Sequence, residues 1–189
     1  ASADVMDDLL NKSKDPRVRA AAITSMSTLG SDNILSGISL AMRDSEVIVR
    51  SSAIGLLDQV ALDNRQLQEV VHPIFAKGTI REQQELLKVL GKMDAQIIND
   101  ILGELIINMS DGQLNSALHL DLYESVISSK SEDLIAKIKP LISEGETVED
   151  FKETLYGGNM RNGINYYYES SAGQCVRCHG SRDEPGTVG

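Results

Sequence analysis

The sequence predicts an all-α fold, with about five helix pairs in a linear array over residues 1–156 and a segment of different character over residues 157–189. Three observations lead there. Apolar residues recur at three- and four-residue steps through most of the chain, no stretch alternates as a half-buried strand would, and one apolar stripe returns 31 residues after its first appearance.

The pairs are laid out in order. Val5, Met6, Leu9 and Leu10 give the first helix, and Val18, Ala22, Met26 and Leu29 form the stripe of its partner, entered through Asp15-Pro16 and ended by Gly30-Ser31-Asp32. Ile34, Leu35, Ile38 and Met42 begin the second pair; after Asp44-Ser45, the residues Val49, Ala53, Leu57 and Val60 repeat the stripe. Val70, Val71, Ile74 and Phe75 precede a looser third copy, in which Gln84 stands at the alanine position and Leu87 and Leu90 close the stripe. Ile97, Ile98, Ile101, Leu102 and Leu105 precede a fourth, Leu114, Leu118, Leu122 and Val126, after the turn Asp111-Gly112. Leu134, Ile135, Ile138 and Leu141 open a fifth pair that runs past Pro140 to a helix on Val148, Phe151 and Leu155, capped by Thr147 with Asp150 three residues on and stopped by Gly157-Gly158. A basic residue recurs beside the stripes as Arg19, Arg50 and Arg81, each 31 residues after the last.

Composition narrows the function classes. The chain has 189 residues, 41% of them hydrophobic, enough to bury a core. Its 28 acidic and 18 basic residues give a formal charge of -10, which lacks the phosphate-neutralising surface of a nucleic-acid binder. No apolar run approaches the roughly 18 residues of a membrane span, and the opening ASADVMDDLL has neither the basic start nor the apolar stretch of a signal peptide. The acidic excess lies before Met160; beyond it Arg161, Arg177 and Arg182 balance Glu169, Asp183 and Glu184. No phosphate-binding glycine loop or nucleophile elbow occurs, so no catalytic residue is assigned. His72 and His119 fall in predicted helices without ligand-spaced partners, and the pairs Asp7-Asp8 and Glu149-Asp150 read as helix-start charges.

The stretches DPRVRAAAITSMSTLG and DSEVIVRSSAIGLLDQV resemble the second helices of HEAT-like repeats. The recognisable element is the Asp-x-x-Val-Arg start of the first copy, where the resemblance implies that Asp caps the helix, Val enters the core and Arg bonds between neighbours. The period near 31 is shorter than the roughly 40 to 47 residues of HEAT and armadillo units. An array of this kind implies a HEAT-like α-solenoid that serves as scaffold or docking platform.

The only two cysteines lie in QCVRCHG, residues 174–180. Cys175-Val176-Arg177-Cys178-His179 has the Cys-x-x-Cys-His spacing of covalent haem attachment, with Cys175 and Cys178 as thioether anchors and His179 as the proximal iron ligand. Three other readings remain open. Structural zinc requires four ligands and a second pair is missing; a thioredoxin-like centre belongs beside a strand-helix-strand unit; a plain disulfide needs only an oxidant. The preceding GGNMRNGINYYYESSAG resembles the start of a class I cytochrome c domain, with Asn159 as N-cap, a small residue at Gly163 and aromatics at Tyr167 and Tyr168.

Repeats followed by this motif resemble the C-terminal part of bacterial extracytoplasmic proteins described as membrane-bound dehydrogenases or haem-binding proteins. That resemblance implies haem c as cofactor, a redox partner protein or fused dehydrogenase module, and a periplasmic or otherwise extracytoplasmic location. The alternative is a protein-interaction scaffold with no haem bound. The ten residues after His179, GSRDEPGTVG, contain neither Met nor His, so the sixth iron ligand is expected outside this chain, and Met160 is not assigned to that role. Residues 157–189 are accordingly expected to be a truncated cytochrome segment, poorly loaded with haem and loosely packed beyond about Ala172.

Overall fold

A computed structural model describes residues 2–142, 160–170, 175–180 and 186. The chain divides into two compact units, Ala1–Tyr156 and Gly157–Gly189. Among the described residues the regular structure is helical and no strand is formed. The first unit contains α1 (Ser2–Lys12), α2 (Pro16–Thr28), α3 (Ile34–Ala41), α4 (Val47–Ile54), α5 (Asn64–Lys77), α6 (Ile80–Leu90), α7 (Ala95–Ser110), α8 (His119–Ser129) and α9 (Glu132–Ile138). Short 3-10 turns lie at Leu57–Gln59, Ser116–Leu118 and Lys139–Leu141. The expected helix on Val148, Phe151 and Leu155, the Thr147 cap and the pair Glu149-Asp150 lie outside the described residues.

The helices start where local chemistry satisfies their free backbone N–H groups. Asp15 accepts from the Arg17 N–H, with Pro16 at the first helical position. Asp63 with Gln66 and Thr79 with Glu82 form reciprocal capping boxes on α5 and α6. The chain turns out of α2 at Gly30 (φ 63°), a backbone angle that glycine adopts without steric cost.

Packing follows pairs and neighbours. Helix α1 lies on α2, α3 on α4, α5 on α6 and α7 on α8; the even-numbered helices touch in succession from α2 to α8, and the odd-numbered ones from α1 to α9. Between these two rows the apolar stripes close on one another. Ile23, Met26, Ile38, Ile54, Leu57, Leu67, Leu86, Leu87, Leu90 and Ile98 are fully buried. Removing such side chains from water contributes about 1.5–3 kcal/mol each. The backbones approach closely at two points. A Cβ on Gly37 would stand 3.0 Å from Ile23 Cδ1 and Met26 Cε, and one on Gly91 would stand 2.9 Å from the Ser125 backbone, so α6 and α8 meet without an intervening side chain.

Four details differ from the sequence expectation. Leu29 is 51% exposed because α2 has already ended and Leu29 is its C-cap. Helix α4 stops at Ile54; Leu57 reaches the core from the following 3-10 turn, and Val60 is extended. Leu114 packs against the core from the loop before α8. Asp7 and Asp8 lie beyond the first turn of α1, where Asp8 pairs with Lys12 at 2.5 Å, so they are not helix-start charges.

The recurring arginine is the most informative difference. Arg19 donates to both Asp44 carboxylate oxygens (2.7 and 2.8 Å) and to the Ser13 carbonyl (2.9 Å). Arg50 repeats the arrangement on Glu82 (2.6 and 3.1 Å) and on the Asp44 and Ser45 carbonyls (2.7 and 2.8 Å). Each guanidinium thus ties the turn before its own helix to an acid in the next pair. Arg81 does not continue the series. It is exposed and faces Glu85 on its own helix at 3.4 Å. The reason is a shift in the helix start: Arg19 and Arg50 stand four residues after the N-caps Asp15 and Glu46, and the residue four after Thr79 is Gln83. Gln83 donates to the Gly78 carbonyl (3.0 Å), while its neighbour Gln84 reaches Asp121 Oδ2 (2.9 Å) and the Ala117 carbonyl (3.1 Å). Two amides divide the work of one guanidinium.

These contacts set the acid strengths. Hydrogen bonding to Arg19 holds the Asp44 carboxyl below its usual range. Burial pushes Glu82 up, but hydrogen bonds from Arg50 and Thr79 outweigh it and the net shift is downward. Asp121 has no cationic partner among the described residues; burial raises it, the nearby Glu124 adds to the rise, and the bond from Gln84 only partly opposes them.

Candidate functional site

The second unit contains α10 (Met160–Glu169) and α11 (Cys175–His179). The sequence of α10 alternates apolar and polar residues at helical steps, and its aromatic run divides by environment: Tyr167 is half-buried, whereas Tyr166 and Tyr168 are 58% and 48% exposed. The Tyr168 ring meets Tyr167 edge-on, with centroids 5.1 Å apart and planes at 75°. Asn159, the expected cap, lies outside the described residues. A Cβ on Gly163 would meet nothing within 4 Å among the described residues.

The short α11 spans the Cys-x-x-Cys-His sequence end to end. Helical geometry puts residues three and four apart on one face, so Cys175, Cys178 and His179 share a side of α11. Cys175 is half-buried, and Cys178 and His179 are exposed. Both thiols are free. The helix ends at Gly180, whose N–H donates to the Val176 carbonyl at 3.0 Å and whose φ of 74° takes the chain into the left-handed region. Gly180 is buried, and its carbonyl accepts from the Tyr167 hydroxyl at 2.6 Å. Gly186 lies so close to this end that a Cβ there would collide with the Cys178 carbonyl and the backbone of His179 and Gly180. Within the stretch expected to be loosely packed beyond about Ala172, these contacts hold the C-terminal end of Cys175–Gly180, while no side chain of α11 is buried.

The histidines of the first unit are placed differently. His72 is exposed on α5, beside a cleft of about 670 Å³ that also takes in Glu69, Phe75 and Glu104. His119 opens α8, with Nε2 3.3 Å from the Leu114 carbonyl. Among the described residues no three His, Cys, Asp or Glu side chains converge as a metal centre would require. Nor is any helix among them long and apolar enough to cross a membrane.

The donor set fits a covalently attached haem. Two free thiols and an imidazole stand on one side of a single helical turn, with the second thiol and the imidazole open to an incoming group. Sequence reasoning named all three of these residues, but it gave Tyr167 no role beyond an aromatic position. Nothing local distinguishes Tyr167 from its two tyrosine neighbours, because its partner lies 13 residues away. Glu82 was also missed, although Thr79-Ile80-Arg81-Glu82 carries a readable capping-box signal.

No protein-family model matches the chain, and neither a curated protein nor a solved structure matches it.

Proposed function

We propose that residues 160–180 are the attachment segment of a c-type cytochrome and that the helix pairs of the first unit form a HEAT-like solenoid acting as its docking platform. The observation that carries this reading is that a single helix, α11, spans Cys175, Cys178 and His179 with both thiols free; steps of three and four residues assign them to one face. Each thiol would add across one vinyl group of haem, sulfur bonding to one carbon and hydrogen to the other, so that nothing leaves and no oxidant is consumed. His179 would then supply the proximal nitrogen. Bound there, haem c supplies a one-electron Fe(III)/Fe(II) couple. The protein's own part is to hold the two sulfurs and the imidazole on one side of the helix, and no residue of this chain is assigned as the sixth ligand. Electrons would pass between a redox partner protein, or a fused dehydrogenase module, and this segment. Thioether attachment of haem takes place outside the cytoplasm, so the reading carries a periplasmic or other extracytoplasmic location with it.

A second reading, a protein-interaction scaffold, draws on the α2 and α4 surface. There a groove of about 570 Å³ is lined by Met6, Thr24, Leu29, Ile48 and Ser52, and both Leu29 and Ile48 are substantially exposed.

Export in a host with c-type maturation machinery, followed by haem staining on a denaturing gel, separates the two. Covalent haem in the parent chain, lost in the Cys175→Ala, Cys178→Ala double variant, is the expected result. Absence of stain in the parent, with a control cytochrome matured in the same cells, leaves the scaffold.

A further inference from the structure

A five-residue helix cannot stand alone. Nucleation is costly enough that isolated helices shorter than about 12–15 residues are marginal in water, so α11 owes its form to what holds its ends. Besides the close approach of Gly186, two hydrogen bonds hold the C-terminal end. Gly180, in the left-handed conformation, returns its N–H to Val176 and closes the last turn. Its carbonyl accepts from the Tyr167 hydroxyl at 2.6 Å in a partly buried setting. This second hold connects α11 to α10.

We propose that Tyr167 is a positioning residue for the haem-attachment motif: its hydroxyl anchors the peptide directly after His179 and so keeps Cys175, Cys178 and His179 on a common face before any haem is bound. Its functional meaning rests on the cytochrome reading, but the anchoring itself does not. The geometry singles out one tyrosine of three. Tyr166 and Tyr168 are exposed, and Tyr168 contributes an edge-on ring contact that steadies the Tyr167 ring. The hydroxyl does what a phenyl ring cannot. Tyr167→Phe keeps the ring packing and removes only the donor, leaving a buried carbonyl without that partner. The consequence falls on the residue next door, because the Gly180 carbonyl is one peptide away from the His179 backbone. Freeing it lets the last turn of α11 open and the imidazole swing away from the sulfur-bearing side.

The test compares Tyr167→Phe and Tyr166→Phe with the parent in the full chain. In the reduced, haem-free protein, hydrogen exchange at the Gly180 amide should be about fivefold faster in Tyr167→Phe, the effect of losing one hydrogen bond, and unchanged in Tyr166→Phe. In the haem-loaded protein, Tyr167→Phe should shift the midpoint potential and the ring-proton resonances of His179 at unchanged haem content, with Tyr166→Phe again silent. Equal Gly180 exchange in Tyr167→Phe and the parent overturns the proposal. Faster exchange with an unmoved potential and unmoved His179 resonances reduces Tyr167 to a fold-holding residue and overturns its positioning role. If the parent itself takes up no covalent haem, the cytochrome reading falls, and the exchange measurement alone decides whether Tyr167 anchors the motif.

Discussion

The two units are built on different principles. Helices α1 to α9 bury a continuous set of leucines, isoleucines and alanines, whereas no hydrophobic residue described in α10 or α11 is buried, and Met160 is 81% exposed. Stability in the first unit comes from packed apolar area, supplemented by bonds from one pair to the next. Among its described residues the second unit shows a few polar bonds around Gly180, with Cys178 and His179 exposed and Cys175 half-buried. The difference teaches that the first unit can be specified by its own packed residues, while the described part of the second leaves most of its side chains exposed. Under the proposed function, haem would cover part of that exposed surface.

The sharpest way to break this comparison is to disrupt the tie between pairs. Glu82 is buried and serves both as acceptor for Arg50 and as the reciprocal member of the Thr79 capping box. Glu82→Ala strands the Arg50 guanidinium, which is itself only 15% exposed, and should cost about 3–5 kcal/mol in urea unfolding. A cost below about 1 kcal/mol would mean that the ladder contributes little beyond the apolar packing.

A matched pair of truncations tests the contrast between units directly. Leu87→Ala, at a fully buried site, should lose about 2–5 kcal/mol. Ile164→Ala, at a site 49% exposed, should stay within about 0.5 kcal/mol of the parent. Comparable losses at both positions would show that Ile164 is covered in solution.

The smallest expected effect sharpens the comparison within the first unit, between the junctions carrying arginine and the one carrying glutamine. Asp44 and Glu82 have folded values below their ordinary ones, so the stability they contribute is present above the ordinary carboxylate range and is lost as pH falls through the lowered values. Asp121 is raised, so its folded form holds a proton more readily than its unfolded form, and its ionisation at neutral pH works against folding. Asp121→Asn keeps an acceptor for Gln84 and should raise the melting temperature at pH 7, the advantage shrinking as pH falls and Asp121 protonates. Thermal melts at pH 7 and pH 4 check this. A lower melting temperature for the Asn variant at pH 7 would show that the ionised carboxylate is needed by Gln84.

How far this was legible depended on the range of the signal. The capping of α2 by Asp15 and the buried stripe of Ala22 and Met26 follow from neighbouring residues, and they appear as the sequence implied. The 31-residue spacing failed at Arg81, because a helix start depends on its cap and Thr79 begins α6 two residues later than the repeat arithmetic supposed. The candidate site was legible in its donors, since Cys175, Cys178 and His179 are a local pattern, but not in its anchor, since Tyr167 meets Gly180 only after the chain has turned back.

By itself the sequence determined the helical class and most turn positions and displayed the Cys-x-x-Cys-His spacing, because periodicity, caps and motif spacing act within a few residues of one another. Tertiary structure alone decided that Arg50 serves Glu82, that two glutamines replace an arginine at the next junction, and that one tyrosine of three is held. Apart from the local bond of Gln83 to the Gly78 carbonyl, those choices depend on which groups face each other across separate helices, and side-chain bonds between residues 13 to 37 positions apart leave no mark in local composition.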